Sequence, residues 1–169
     1  MPVPRVRPEK PADRAAIHRV NSLAFARSEE ADLVDALRDA GALAVSNVAE
    51  LDGSIVAHVA LSPVTIAGAM LLALGLGPMA VVPGLQRGGI GRALAGAALE
   101  QARRGGWQAV VVLGHPEYYP RFGFAPASSF GLRCEYDAPD EAFMALELRP
   151  GALAGIGGLV RYHAAFGSV

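Results

Sequence analysis

Residues 81–92 read Val81-Val82-Pro83-Gly84-Leu85-Gln86-Arg87-Gly88-Gly89-Ile90-Gly91-Arg92. This stretch joins an apolar run, residues 70–82, to a segment whose helical periodicity continues to about residue 104. Glycines at the start of a helix leave backbone N–H groups unpaired and let a ligand approach the backbone closely. These amides and the helix dipole predict a pyrophosphate site, and Arg87 and Arg92 would add positive charge at its rim.

Two other nucleotide-binding patterns fit the chain less well. A Walker loop requires Lys and then Ser or Thr after its last glycine, whereas Gly89 is followed by Ile90 and Gly91. A dinucleotide-binding motif could use residues 75–80, but Pro78 interrupts it and a strand follows instead of a helix. The glycines by themselves are equally compatible with a tight turn, so the phosphate site and the plain turn both stay open on this pattern alone.

The rest of the chain alternates helical and strand patterns without a repeat, a linker or a domain boundary. In chain order the predicted elements are a strand at 3–7, helices over 11–26 and between Ser28 and Gly41, an antiparallel meander of 44–51, 54–62 and 70–82, a helix over 90–104, a buried strand at 109–113, short helical turns at 116–122, a closing pair of strands at 132–136 and 143–148, and a weakly helical segment at 151–165. Asp52-Gly53 is the pair that a two-residue type I′ hairpin turn prefers. The pattern predicts one α/β (α+β) domain over residues 1–169, with a mixed β-sheet flanked by helices.

Composition excludes several classes of function. The chain is 52% apolar and 18% charged with a formal net charge of −1, which indicates a globular protein and gives no sign of a nucleic-acid or membrane partner. Cys134 is the only cysteine, and no His, Asp and Glu cluster has metal-ligand spacing, so we predict no disulfide and no metal site. Residues 1–19 lack the apolar core of a signal peptide, so we expect a cytoplasmic protein.

A charge-free stretch, residues 53–86, is long enough to be tested as a membrane span. Prolines and glycines interrupt it, among them Pro63, Gly68, Gly75, Gly77, Pro78 and Pro83. This punctuation favours buried strands joined by turns over one continuous helix. We expect His58, within this stretch, to be a hydrogen-bonded core residue.

Two motifs resemble a known superfamily. The pattern Gln86-x-x-Gly89-x-Gly91, after a strand ending Met79-Ala80-Val81, resembles the acetyl-CoA loop of the GCN5-related N-acetyltransferase (GNAT) superfamily. Residues 112–124, Val-Leu-Gly-His-Pro-Glu-Tyr-Tyr-Pro-Arg-Phe-Gly-Phe, are similar to a bacterial subgroup of predicted N-acetyltransferases in which paired tyrosines precede Gly-Phe. Residues 140–144 and 150–153 resemble the same subgroup. The resemblance covers nearly the whole chain and implies a GNAT-like fold with splayed central strands.

The resemblance implies an acetyl-CoA-dependent N-acetyltransferase in which a primary amine attacks the thioester directly. It places the pantetheine arm along the β-strand that precedes the loop, where the interruption at residues 75–78 would supply a bulge and a backbone N–H near Met79 or Val81 would polarise the thioester carbonyl. The residues expected to bind the cofactor are Met79, Ala80, Val81, Gln86, Arg87, Gly88, Gly89, Ile90, Gly91 and Arg92.

The resemblance also assigns the general acid to the tyrosine four residues before the glycine of Gly-Phe, which is Tyr119 here. A phenol is protonated at neutral pH and can donate a proton to the departing thiolate. Tyr118 is the competing candidate, because consecutive residues on a short helix point in different directions. Packing is the alternative role for both tyrosines.

The general base and the acceptor stay open. The candidate bases are Glu29, Glu30, His115 and Glu117, each of which also suits a helix first turn or a strand end. Acidic residues near the last strands, together with Glu29 and Glu30, would attract a cationic amine: Glu135, Asp137, Asp140 and Glu141. The family leaves the acceptor as a small-molecule or peptide amine.

A non-catalytic acyl-CoA-binding or sensing protein of the same fold is the alternative function. The retained Tyr119 favours the enzyme, and the lack of an identifiable base favours the alternative. Dimerisation is a tendency of the family, and a homodimer is compatible with this sequence.

Overall fold

A mixed β-sheet flanked by helices forms the centre of the computed structural model, which describes residues 3–168. The strands are β1 (Arg5–Pro8), β2 (Val45–Leu51), β3 (Ser54–Ile66), β4 (Ala73–Val81), β5 (Ala109–Leu113), β6 (Ala125–Pro126), β7 (Leu132–Cys134), β8 (Phe143–Glu147) and β9 (Gly158–Arg161), and the α-helices are α1 (Arg14–Phe25), α2 (Glu29–Asp39) and α3 (Ile90–Arg104). The main sheet has the order β1-β2-β3-β4-β5-β8-β6. Its β4–β5 pair is parallel and its other pairs are antiparallel.

The predicted meander is confirmed in β2, β3 and β4. Asp52 and Gly53 both have positive φ, 51° and 79°, as a type I′ turn requires. The charge-free stretch of the sequence forms β3, β4 and their turns, and within residues 3–168 no helix is long and apolar enough to cross a membrane. β3 extends to Ile66, beyond the predicted residue 62, because its end pairs with β9.

The parallel pairing of the two central strands covers only the first half of β4. β4 and β5 pair from Ala73–Ala109 to Leu76–Val112 and then diverge. On its other side β4 bulges, since three steps along β4 from Leu76 to Met79 match two steps along β3. Gly77 lies in this bulge with φ +142°, a backbone conformation that residues other than glycine rarely adopt. The bulge and the splayed strands predicted near residues 75–78 are therefore confirmed.

The C-terminal prediction was partly wrong. The strands near residues 132–136 and 143–148 exist, but they do not pair with each other: β8 pairs with β5 and β6, whereas β7 pairs with β9. The predicted helix over 151–165 is instead a series of turns, the strand β9 and a short 3₁₀ turn. Glycines with positive φ prevent a regular helix there: Gly151, Gly155, Gly157 and Gly158.

A polar chain runs through the core between the sheet and α1–α2. The fully buried His58 places Nε2 2.9 Å from Ser46 Oγ and Nδ1 3.3 Å from Asn21 Nδ2. Ser46 Oγ donates to the carboxylate of Glu9, which also accepts a 2.8 Å hydrogen bond from Arg38 Nε. His58 is therefore a hydrogen-bonded core residue, as predicted.

His58 should make the stability of the fold depend on pH. Burial lowers the pKa of His58 from 6.5 to about 4. Between pH 6.5 and about pH 4, His58 is therefore protonated in the unfolded chain and neutral in the folded chain. The contribution of the neutral His58 to the free energy of unfolding is fully present above about pH 6.5. It is lost as the pH falls towards 4, by roughly 3 kcal/mol at most. Urea unfolding at pH 7, 6 and 5 measures this slope. His58→Gln should flatten it over this window, and an equal slope in the variant would contradict the assignment.

Candidate active site

Two cavities adjoin where β4 and β5 diverge. The first, of about 600 Å³, lies over the start of α3 and is called the α3 cavity; its lining residues are Met79, Val81, Gln86, Arg87, Gly89, Gly91, Arg92, His115, Tyr118, Tyr119 and Arg121. The second, of about 320 Å³, is called the aromatic cavity; its lining residues are Phe25, Glu30, Leu33, Leu76, Gly77, Pro78, Met79, Leu113, Gly114, His115, Tyr119, Tyr136, Tyr162 and Phe166. Met79, His115 and Tyr119 line both, so the two cavities meet at these side chains.

The loop before α3 has the features of an anion site. Gly89 precedes the helix with φ +89°, and the first intrahelical bond runs from Ala93 N–H to Gly89 O at 3.1 Å. The N–H groups of residues 90–92 therefore have no acceptor within the helix. Arg87, with φ +66°, and Arg92 line the cavity beside these amides, and Arg121 adds a third guanidinium. The positive charge and the free amides are suited to a phosphate group.

The strand before the loop turns part of its backbone towards the gap. Val82 N–H donates to Val56 O at 3.0 Å, and antiparallel hydrogen-bonding alternates, so Met79 and Val81 direct their backbone groups away from β3. The side chain of Gln86 confirms this direction for Val81 O, because Gln86 Nε2 donates a hydrogen bond to it at 3.0 Å. Gln86 thereby ties the loop to the strand.

Three of the predicted cofactor residues do not line the α3 cavity. Ala80 is buried against α1 and pairs with His58, because its position in the strand alternates with those of Met79 and Val81. The side chain of Ile90 packs into the core below α3. Gly88 lies in the loop, where its only contribution can come from the backbone.

The paired tyrosines occupy different places. Tyr119 is only 8% exposed, and burial raises the pKa of its phenol to about 12, so the hydroxyl keeps its proton at neutral pH. Its ring covers Gly114 at the end of β5, where an added Cβ would lie 2.9 Å from Tyr119 Cδ2. Tyr118 lines the α3 cavity only, and its hydroxyl lies near Gly91, while Arg121 stacks on its ring at 4.3 Å from the centroid.

Only two of the four candidate bases line either of the two cavities described above. Among residues 3–168, Glu30 and His115 line a cavity, whereas Glu29 and Glu117 line neither. Arg27 donates to both oxygens of Glu30, at 2.9 Å to Oε1 and 2.5 Å to Oε2, and this lowers the pKa of the Glu30 carboxyl. His115 lies at the junction of the cavities.

The predicted acidic segment does not line either cavity. Glu135 instead accepts the Tyr162 N–H at 2.8 Å and faces Arg161, and Asp140 accepts a hydrogen bond from Ser128. Asp137 and Glu141 are exposed and lie outside both cavities. Of the acidic residues proposed to attract an amine, Glu30 is the one that lines a cavity among residues 3–168.

Sequence reasoning missed the aromatic wall of this site. Tyr162 and Phe166 are four residues apart, but no spacing in the sequence connects them to Phe25 or Tyr136. A Cβ at Gly75 of β4 would lie 2.7 Å from Tyr162 Cε2, so the Tyr162 ring covers the strand there. This contact depends on β9, which the sequence did not predict.

Comparison with known proteins identifies this architecture. The family profile described as "Acetyltransferase (GNAT) domain" matches residues 5–127. The chain belongs to the GNAT acetyltransferase family. "Uncharacterized N-acetyltransferase YhbS" of Escherichia coli (strain K12) is 38% identical over 162 residues, which cover 95% of this chain and 97% of YhbS. The relationship shows that this GNAT chain is an N-acetyltransferase.

Two solved GNAT structures are similar along almost the whole chain. The crystal structure of Escherichia coli YhbS in complex with CoA has a TM-score of 0.95 at 36% identity, covering 99% of this chain and 93% of that one. A GNAT acetyltransferase from Brucella melitensis in complex with acetyl-CoA has a TM-score of 0.83 at 38% identity, covering 98% and 99%. Tyr136, Tyr162 and Phe166 lie beyond the matched GNAT profile, so the aromatic wall belongs mainly to the C-terminal part of the chain.

Proposed function

We propose that residues 1–169 act as one domain that transfers the acetyl group of acetyl-CoA to a primary amine. The observation that carries the proposal is the meeting of the two cavities at Met79, His115 and Tyr119. One cavity has the amides and arginines that a phosphate chain needs, and the other is open to a second substrate. The CoA and acetyl-CoA bound to the two similar structures support the choice of cofactor. All of these groups come from one chain, so the proposal requires no second subunit.

In this proposal the cofactor lies in the α3 cavity. The N–H groups at residues 87–92 receive its pyrophosphate, with Arg87 and Arg92 beside them. The outward backbone groups of Met79 and Val81 pair with the extended pantetheine arm as with an added strand. This arrangement brings the thioester to the gap between β4 and β5, where a Met79 or Val81 N–H polarises its carbonyl.

The chemistry then needs one proton acceptor and one proton donor. His115 removes a proton from the incoming ammonium, directly or through a water molecule, because histidine is the commonest general base and Glu30 is held by Arg27. The free amine attacks the thioester carbonyl, a C–N bond forms and the C–S bond breaks. Tyr119 donates its phenolic proton to the departing sulfur, and the buried phenol is kept protonated for this step.

Incubation with acetyl-CoA and a panel of primary amines tests the proposal. Free CoA is followed with a thiol reagent, and the acetylated amine is identified by mass spectrometry. Amine-dependent release of CoA, with an acetylated product, is expected. Tight binding of acetyl-CoA without release in the presence of any amine would instead indicate the non-catalytic acyl-CoA-binding alternative.

A further inference from the structure

Four aromatic rings besides Tyr119 line the aromatic cavity, and three of these four are in contact with one another. Phe25 ends α1, Tyr136 follows β7, Tyr162 follows β9, and Phe166 lies in the last turn. The centroids of Tyr136 and Tyr162 lie 5.9 Å apart, and those of Tyr162 and Phe166 lie 5.0 Å apart. Rings at these separations form a surface suited to a flat or branched apolar group.

Glu30 supplies the only acidic side chain that lines this cavity among residues 3–168. Its side chain is 11% exposed, and Arg27, which holds it, is itself half exposed. A carboxylate has about four acceptor sites, so a ligand N–H can still bind Glu30 beside the guanidinium. Arg27 also faces Glu29 at 3.3 Å, so these three side chains carry a net charge of −1, and this charge and the nearby rings both attract a cation. The cavity therefore combines apolar walls with a local preference for positive charge.

The volume limits what can enter. About 320 Å³ lies at the small end of cavities that hold small molecules, which run from roughly 300 to 1,000 Å³. Apart from Glu30, His115 and the tyrosine hydroxyls, the lining side chains are aliphatic or aromatic. These few polar groups would leave most N–H and C=O groups of a peptide buried there without partners, at a large cost.

We propose that the acceptor is a small primary amine with an aromatic or branched apolar body, which packs in the aromatic cavity while Glu30 attracts its ammonium form. The inference rests on the acetyl transfer proposed above. The reacting nitrogen lies at the junction near Met79 and Tyr119, and the apolar body extends towards Tyr162 and Phe166.

Matched amines test the apolar preference. The value of kcat/KM for 2-phenylethylamine is expected to exceed that for ethanolamine, which has the same charge, by at least about 10²-fold, since one methylene in an apolar pocket is already worth 10-fold or more. Isoamylamine should also exceed ethanolamine. If ethanolamine or putrescine is used as efficiently, the preference is overturned while acetyl transfer stands. If acetyl-CoA binds but no amine releases CoA, acetyl transfer itself fails and the preference with it.

Charge variants test the role of Glu30. Glu30→Gln should raise KM for 2-phenylethylamine about tenfold with little change in kcat, as expected for losing one charged partner. Asp137→Asn removes the same charge from an exposed position outside the cavity and should leave KM unchanged. An equal change of KM in the two variants would show that Glu30 does not bind the amine locally, and would overturn this role.

A binding measurement separates recognition from turnover. Calorimetric titration of 2-phenylethylamine into the CoA-saturated protein should give saturable binding, which ethanolamine should not give at the same concentration. Absence of phenylethylamine binding to the folded, CoA-bound protein would overturn the proposal. Circular dichroism of each variant confirms that the comparison is made on folded protein.

Discussion

Tyr119→Phe is expected to lower kcat by roughly 10²-fold, the loss typical of removing a general acid. The substitution removes the phenolic proton proposed to pass to the departing thiolate. The ring that packs over Gly114 and against Phe124 stays, so the fold and the affinity for acetyl-CoA should be unchanged. Steady-state kinetics with a saturating amine, together with calorimetry of acetyl-CoA, provides the measurement.

Tyr118→Phe is the matched control. Tyr118 lines the α3 cavity only and lies near Gly91, so its substitution should leave kcat nearly unchanged. An unchanged kcat in Tyr119→Phe would refute its assignment as the acid. A large loss confined to Tyr118→Phe would transfer the role to the neighbouring tyrosine.

Gly89→Glu is expected to weaken acetyl-CoA binding by more than about 10²-fold, which corresponds to roughly 3 kcal/mol. A Cβ at Gly89 meets no atom within 4 Å, so the new carboxylate would extend into the open space over the loop. There it would repel the pyrophosphate and oppose the helix dipole. The φ of +89° adds backbone strain, as any side chain at this position does. Calorimetric titration with acetyl-CoA measures the loss.

Two further variants separate charge from backbone strain. Gly89→Ala carries the strain without the carboxylate and should bind acetyl-CoA better than Gly89→Glu. Gly84→Glu places the same charge elsewhere in the loop, outside the cavity lining and at a residue without positive φ, and should change binding little. Tight binding by Gly89→Glu would mean that the glycines form only a turn.

Local patterns predicted the elements whose conformation depends on neighbouring residues. Asp52-Gly53 specified its hairpin because both residues must adopt positive φ, and the apolar run at residues 109–113 specified β5. The glycines of residues 84–91 predicted a tight turn before a helix, and the resemblance to GNAT proteins was needed to choose a phosphate site over a plain turn. The bulge in β4 was predicted at residues 75–78 because glycine and proline interrupt the strand there.

Strand partners and distant contacts were not predictable in this way. The strands near residues 132 and 143 were found, but their pairing was wrong, because alternation of side chains shows that a segment is a strand and not which neighbour it joins. The segment 151–165 was predicted to be weakly helical, but four of its glycines adopt positive φ and interrupt any helix.

The glycine-rich loop before α3 was therefore predictable as a turn with free amides from a short stretch of sequence, since exposed amides and local φ values are properties of consecutive residues. The aromatic cavity was decided only by the tertiary structure. Phe25, Glu30, Tyr136, Tyr162 and Phe166 meet because β9 pairs with both β3 and β7 and carries the end of the chain over Gly75. Pairing between segments about 95 residues apart, as between Thr65 and Arg161, depends on the packing of the whole sheet, and no local pattern records it.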